Sequence, residues 1–200
     1  MIEVSTPTKE RIVDAALVAF ATRGYEATSL DQLAQTLELR KQTILYWYAT
    51  KEVLLEAVIE RGAAELTAAL LAALVDDGDP FERIERVVRK VFRIGARRPE
   101  LLGLLRECSR LGPPAATQLA ASLSPLIDRA AGFLEFEMAA GRLRRSDPRF
   151  LLLAMYSVVL GMVTEVEVLK TFGVENNARS LVQRRRDVLD LLRAALVVEA

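Results

Sequence analysis

The apolar residues of this chain recur at helical spacing, in blocks that glycine or proline closes. Ile12, Ala16 and Phe20 follow one another every four residues, with Val13 and Leu17 beside them, and Gly24 ends the block. Such a stripe is the buried face of an amphipathic helix, and glycine readily takes the left-handed turn past a helix end. Thr6 or Thr8 can cap its start, with Pro7 suited to the first turn. The same grammar runs to the C-terminus, with breaks at "DDGDP" (76–80), "GPP" (112–114), Gly141, "SDP" (146–148) and Gly173. The segments between are rich in Ala, Leu, Arg and Glu and poor in β-branched runs, which predicts an all-α protein of about nine helices. Helix 4 should run from Lys51 to about Val75, a kink or interruption should fall at Pro125, and one helix should run from "SDP" to Phe172. Two hundred residues with 52% apolar content can fill one domain, or two small ones sharing a core.

What is missing narrows the function. One cysteine, Cys108, and no histidine exclude an intramolecular disulfide and argue against a zinc site. They also remove the imidazole base and the Ser-His-Asp or Cys-His nucleophile. No glycine-rich phosphate loop is visible, so no enzyme activity, metal or cofactor is expected. The N-terminus "MIEVSTPTKERIVDAA" is too polar for a signal peptide. The longest apolar run, residues 150–163, falls short of the roughly 20 residues that a bilayer requires. No membrane association and a cytoplasmic location are therefore expected. Net charge is zero, and residues 1–50 carry one net negative charge, so any case for nucleic acid rests on local placement.

That placement is found in residues 29–52. Ser29 and Gln32 form a Ser-x-x-Gln capping box, and Leu30, Leu33, Ala34 and Leu37 give the helix behind it an apolar face. A break follows near Glu38–Arg40, and a third short helix runs from about Arg40 to Tyr48. Short helix, tight turn, short helix is the layout of a helix-turn-helix. At 100° per residue Ile44 and Tyr48 face inward, Gln42, Thr43 and Tyr46 face outward, and Leu45 and Trp47 lie at the borders. The outward set, with Arg40 and Lys41 before it, consists of side chains that read base edges and hold phosphates.

The stretch "GYEATSLDQLAQTLELRKQTILYWYATKEVLLEAV" (24–58) resembles the DNA-binding domain of the TetR family of bacterial transcriptional regulators. The matching residues are Gly24–Tyr25, Thr28–Ser29, Leu33–Ala34, Thr43–Ile44, Tyr48 and Thr50–Lys51–Glu52, within a match of about 8–60. Four departures stand out. The turn glycine is replaced by Glu38, the first recognition-helix tyrosine by Leu45, and a common glycine by Gln42, while Arg40 replaces the usual small residue opening the helix. The resemblance implies a DNA-binding domain at 1–50 and a roughly six-helix ligand-binding and dimerisation body at 51–200. Base contacts are expected from Arg40, Gln42, Thr43 and Tyr46, and phosphate contacts from Thr28, Ser29, Lys41, Trp47, Thr50 and Lys51. The partners it implies are a pseudo-palindromic duplex operator, a second copy bound through about 148–198, and a small, mostly apolar effector.

The body agrees in part. Residues 150–163 are apolar on every side, and Leu181, Val188, Leu189, Leu192 and Leu196 form one stripe, which could equally pack within one chain. Gly161 would permit close helix approach. Arg184–Arg185–Arg186 reads as a solvated helix face. Arg106, Cys108, Tyr156 and Thr164 are the candidate ligand-pocket residues. The expected function is a ligand-released repressor. An all-α enzyme or carrier with a helix-turn-helix-like cap, and a constitutive DNA-binding protein without ligand, remain open at this point.

Overall fold

The computed structural model describes residues 7–74 and 78–198. Thr6, Val75, Asp76 and Asp77, named above as a cap, a helix end and part of a break, lie outside the described residues. Ten helices are present among the described residues: α1 (Thr8–Arg23), α2 (Leu30–Thr36), α3 (Lys41–Trp47), α4 (Lys51–Leu71), α5 (Pro80–Arg97), α6 (Pro99–Leu111), α7 (Ala115–Ala139), α8 (Pro148–Thr164), α9 (Val166–Thr171) and α10 (Ala178–Leu196).

Local chemistry sets most of the starts. Ser29 accepts from the Gln32 amide while the Gln32 side chain accepts from the Ser29 amide. Asp79 accepts from Phe81 N–H at 2.8 Å, and Asp147 from Phe150 N–H at 2.7 Å, each just ahead of a proline in the first turn. α7 runs as one helix through Pro125, so the chain is not interrupted there. The proline removes one amide donor, but the carbonyl it would have served belongs to exposed Ala121, where water can take its place. The expected single helix to Phe172 divides instead at Glu165, whose ψ of 56° leaves the helical region.

The chain forms two compact units. The first holds residues 1–66 and 100–122, and the second holds 67–99 and 123–200. This division does not follow the 50/51 boundary, because most of α4 and all but the first residue of α6 fall in the unit of α1–α3. The reason is glycine-mediated packing. A Cβ on Gly62 of α4 would come 2.5 Å from Leu104 Cδ2 of α6, and one on Gly103 of α6 would come 3.0 Å from the Ala21 carbonyl of α1. Ile12, Leu17, Phe20, Leu33, Ile44, Leu54, Ile59, Leu101 and Leu104 are buried in this unit.

In the second unit α5, α8 and α10 pack on one another. Phe81, Ile84, Val88 and Phe92 of α5 share a core with Val159 of α8 and with Val188, Leu189, Leu192 and Leu196 of α10. The α10 stripe is thus spent inside one chain. Arg184 corrects the reading of the basic run, because it is only 5% exposed. Its guanidinium donates to the Met162 carbonyl, one of the last of α8, and to the Ser180 carbonyl. A carbonyl left over where α8 ends is satisfied this way, which explains the buried charge. Arg186, two residues on, is exposed as expected.

Candidate nucleic-acid interface

The recognition segment is built on a turn that lacks its usual residue. Glu38 adopts φ 56°, the left-handed conformation that favours glycine. Its amide donates to the Gln35 carbonyl, and the Leu39 amide donates to the Ala34 carbonyl at 2.9 Å. These are the two bonds of a Schellman motif, so the turn keeps its glycine geometry with glutamate in place. Sequence reasoning missed the motif because glycine is its signal.

α3 follows with Arg40 at its N-cap in extended conformation. Ile44 and Tyr48 are buried, and the Tyr48 hydroxyl donates to the Lys9 carbonyl at 3.4 Å. Burial pushes the Tyr48 phenol upward. Tyr46 is 79% and Trp47 42% exposed, and their rings meet edge to face at 5.1 Å. Arg40 and Gln42 are exposed and Thr43 half-buried. Four side chains able to read base edges therefore belong to one segment, and their rigid support is the Ile44–Tyr48 side.

The expected phosphate contacts divide. The Ser29 hydroxyl accepts from Gln32 N–H and keeps its own O–H to donate outward, whereas the Thr50 hydroxyl accepts from Val53 N–H at 3.2 Å and also bonds the Glu52 carboxylate. Lys41 forms an exposed ion pair with Asp31 at 2.8 Å, a weak contact that a phosphate can replace. Lys51 lies over the Tyr25 ring with Nζ 4.0 Å from its centroid. That ring also meets Phe20 edge to face, and its hydroxyl donates to Glu52 at 3.2 Å. Burial first, and then Glu52, push the Tyr25 phenol up to about 12. Thr28 is a correction. It is wholly buried, its hydroxyl donates to the Gly24 carbonyl at 2.8 Å, and its amide donates to the Tyr25 carbonyl. Both donors are used inside the protein, so Thr28 holds the α1–α2 turn and offers nothing to a phosphate.

Residues 12–58 match the family model described as bacterial regulatory proteins, tetR family. The match runs from α1 through α3 into the first part of α4. The chain is 26% identical over 189 residues to the HTH-type transcriptional regulator RutR of Escherichia coli, covering 88% of this chain and 89% of that protein. Its fold is that of AibR, solved with isovaleryl coenzyme A and operator DNA, at a TM-score of 0.76 and 20% identity over 92% of this chain and 96% of that one. It is also that of a putative regulator from Saccharomonospora viridis solved with choline, at a TM-score of 0.77 and 19% identity, covering 96% and 98%. The chain is accordingly all-α with a tetR-type helix-turn-helix segment at its head, and its similarity is to DNA-binding transcriptional regulators. Among the described residues no helix is long and apolar enough to cross a membrane.

The four candidate ligand residues divide between the two units. Arg106 and Cys108 lie in the first unit and Tyr156 and Thr164 in the second. Arg106 lines an open groove of about 590 Å³ with Arg23, Glu107 and Arg110. Cys108 is fully buried, and burial followed by the charge of Glu107 pushes its thiol up to about 11. The Thr164 hydroxyl donates to the Leu160 carbonyl at 2.9 Å. Tyr156 stands on the outer side of α8 beside Leu153, which is 60% exposed, and Phe150, which is 67% exposed. On the same side a Cβ at Gly161 would meet nothing within 4 Å. That uncovered apolar strip was not separable in sequence from the side of α8 that packs on Phe81 and Val188, because residues 150–163 are apolar all round.

Proposed function

We propose that this regulator is a homodimeric repressor that reads a pseudo-palindromic operator and releases it on binding a small, mostly apolar molecule. The labour divides at 50/51, with residues 1–50 on DNA and residues 51–200 on ligand and partner. Arg40, Gln42, Thr43 and Tyr46 touch base edges, while Ser29, Lys41, Trp47, Thr50 and Lys51 hold phosphates. The observation that carries the reading is the two-sided α3, with Ile44 and Tyr48 buried and Tyr46 left 79% exposed among polar neighbours.

The dimer is supported by α8. Its outer face, Phe150, Leu153, Tyr156 and Gly161, is the kind of apolar surface that a second copy covers. Paired recognition helices then enter successive major grooves, about one helical turn apart or somewhat more. The effector is supported by likeness in fold to proteins solved with isovaleryl coenzyme A and with choline. Only three residues separate the end of α3 from the start of α4, which continues into the body and gives an effector a route to the head. The regulator works in the cytoplasm, where its operator is.

Selection of duplexes from a random library, followed by footprinting, tests the DNA half. The expected product is a two-fold symmetric site, and a site without internal symmetry would refute the dimeric reading. The ligand half is tested by the affinity of a co-purifying molecule with and without saturating operator. Linkage requires operator to weaken it by the same factor by which it weakens operator, typically 5- to 150-fold. Equal affinities would leave the body a dimerisation module only.

A further inference from the structure

We propose that Glu107, 55 residues beyond the last residue of the family's DNA-binding motif at Glu52, is a positioning residue for DNA recognition. Its carboxylate holds the backbone at Tyr25 and so fixes where the helix-turn-helix hangs. α1 ends at Gly24, whose amide still donates to the Phe20 carbonyl. The Tyr25 amide, the next donor along, has no helical acceptor left. It donates instead to Glu107 Oε1 at 2.6 Å, across 82 residues of sequence. The carboxylate is itself held. Arg110 Nε donates to its Oε2 at 2.8 Å and Arg110 Nη2 to its Oε1 at 2.7 Å. The Arg110 fork holds the Glu107 carboxyl below the usual carboxylate range against the opposing pull of burial, with a further contribution from the Tyr25 amide. The acceptor therefore stays ionised at neutral pH.

α6 meets α1 at Gly103 and Ala21, where a Cβ on Gly103 would come 3.0 Å from the Ala21 carbonyl, and meets α4 at Leu104 and Gly62, where a Cβ on Gly62 would press on the Leu104 side chain. At the other end of the contact, Tyr25 is fixed by Phe20 of α1 and by Lys51 and Glu52 of α4. Three residues on, Thr28 bonds back to Gly24, and Ser29 caps α2. A movement of α6 is therefore felt first at the residue from which α2 and α3 are suspended. Base reading needs α3 placed to within a fraction of an ångström, whereas non-specific attraction to phosphates does not. Losing the clasp should cost sequence preference more than it costs DNA binding as such.

This inference rests on α3 being the base-reading element, and the test separates the two. The unaltered full-length protein selects an enriched duplex from a random library. Glu107→Ala, Glu107→Gln and Arg40→Ala are then titrated with that duplex and with a scrambled one of equal length. The titrations are made well below each variant's melting temperature, with helicity checked by circular dichroism. Glu107→Ala is expected to lose at least 10-fold on the enriched duplex and under 2-fold on the scrambled one. Glu107→Gln, whose amide oxygen still accepts from the Tyr25 N–H, should stay within 3-fold of the parent. Hydrogen exchange at the Tyr25 amide should accelerate in Glu107→Ala and not in Glu107→Gln. A Glu107→Ala protein that loses affinity equally on both duplexes, or on neither, overturns the proposal, as does a Gln variant as defective as Ala. Lost preference in Arg40→Ala with preference retained in Glu107→Ala overturns the clasp alone. Preference retained in both overturns the clasp and the base-reading assignment together.

Discussion

On α3 and its two caps the exposed side chains are Arg40, Gln42, Tyr46 and Trp47, while Lys41, Thr43 and Leu45 are half-buried, and Ile44 and Tyr48 are covered. On α8 the side chains left in solvent include Phe150, Leu153 and Tyr156, although that helix also lends Val159 to a filled core. Both helices are therefore two-sided, but the outward side of α3 is made for a hydrated, charged partner and that of α8 for an apolar one. The difference teaches that exposure by itself says little about a surface. The chemistry of what is exposed tells which kind of molecule finishes it.

The sharpest way to break the comparison is to put a charge on the apolar side. Leu153→Glu leaves the isolated chain folded, because the position faces solvent there, but would bury two carboxylates in a two-fold interface. Several kcal/mol per buried unpaired ion is enough to separate a dimer, by about 100-fold or more in the dissociation constant. Sedimentation should give a monomer with unchanged helicity and greatly weakened operator binding. A Leu153→Glu protein that stays dimeric removes α8 from the interface.

The polar side responds more moderately. Arg40→Ala should cost about 1–3 kcal/mol of discrimination at one base pair of each half-site, read by comparing single-base operator variants. Lys51→Ala should weaken all sequences alike and reduce the salt slope by roughly one unit. A changed base preference in Lys51→Ala with none in Arg40→Ala would reverse the two assignments.

Two smaller effects test the scaffold. The Tyr25 phenol is raised from 10.0 to about 12 in the fold, so the folded state disfavours its ionisation. Its contribution to stability is whole below pH 10 and is lost as pH rises toward about 12. Chemical denaturation across that window should show a loss that Tyr25→Phe lacks. Glu38→Gly relieves a left-handed residue but loosens the unfolded chain, so the net gain should be a few tenths of a kcal/mol to about 1 kcal/mol. A destabilised Glu38→Gly protein would mean that the glutamate side chain earns its place at the turn.

These features were unequally legible in the sequence. The starts of α2, α5 and α8 were readable because cap and amide lie within three residues of each other. The inward Tyr48 and outward Tyr46 were readable because 100° steps separate them. The break near Glu38–Arg40 was readable, but the left-handed φ of Glu38 was not, because glycine is what announces that conformation. Arg184 and Glu107 hid theirs because their partners, the Met162 carbonyl and the Tyr25 amide, lie 22 and 82 residues away. The α10 stripe showed a buried face but not whose core it enters. Thr28 matched a motif, yet the motif could not say which way its hydroxyl points.

The arginine that closes the end of α8 also limits how such chains can be recombined. A chimera that joins this α8 to the last helix of a relative lacking a cation at position 184 would leave the Met162 carbonyl unanswered. Conversely, this α10 fitted to a foreign α8 would carry a guanidinium into a site with no waiting acceptor. The two helices are matched at this contact, so a crossover placed between residues 164 and 178 would separate the guanidinium from its acceptor.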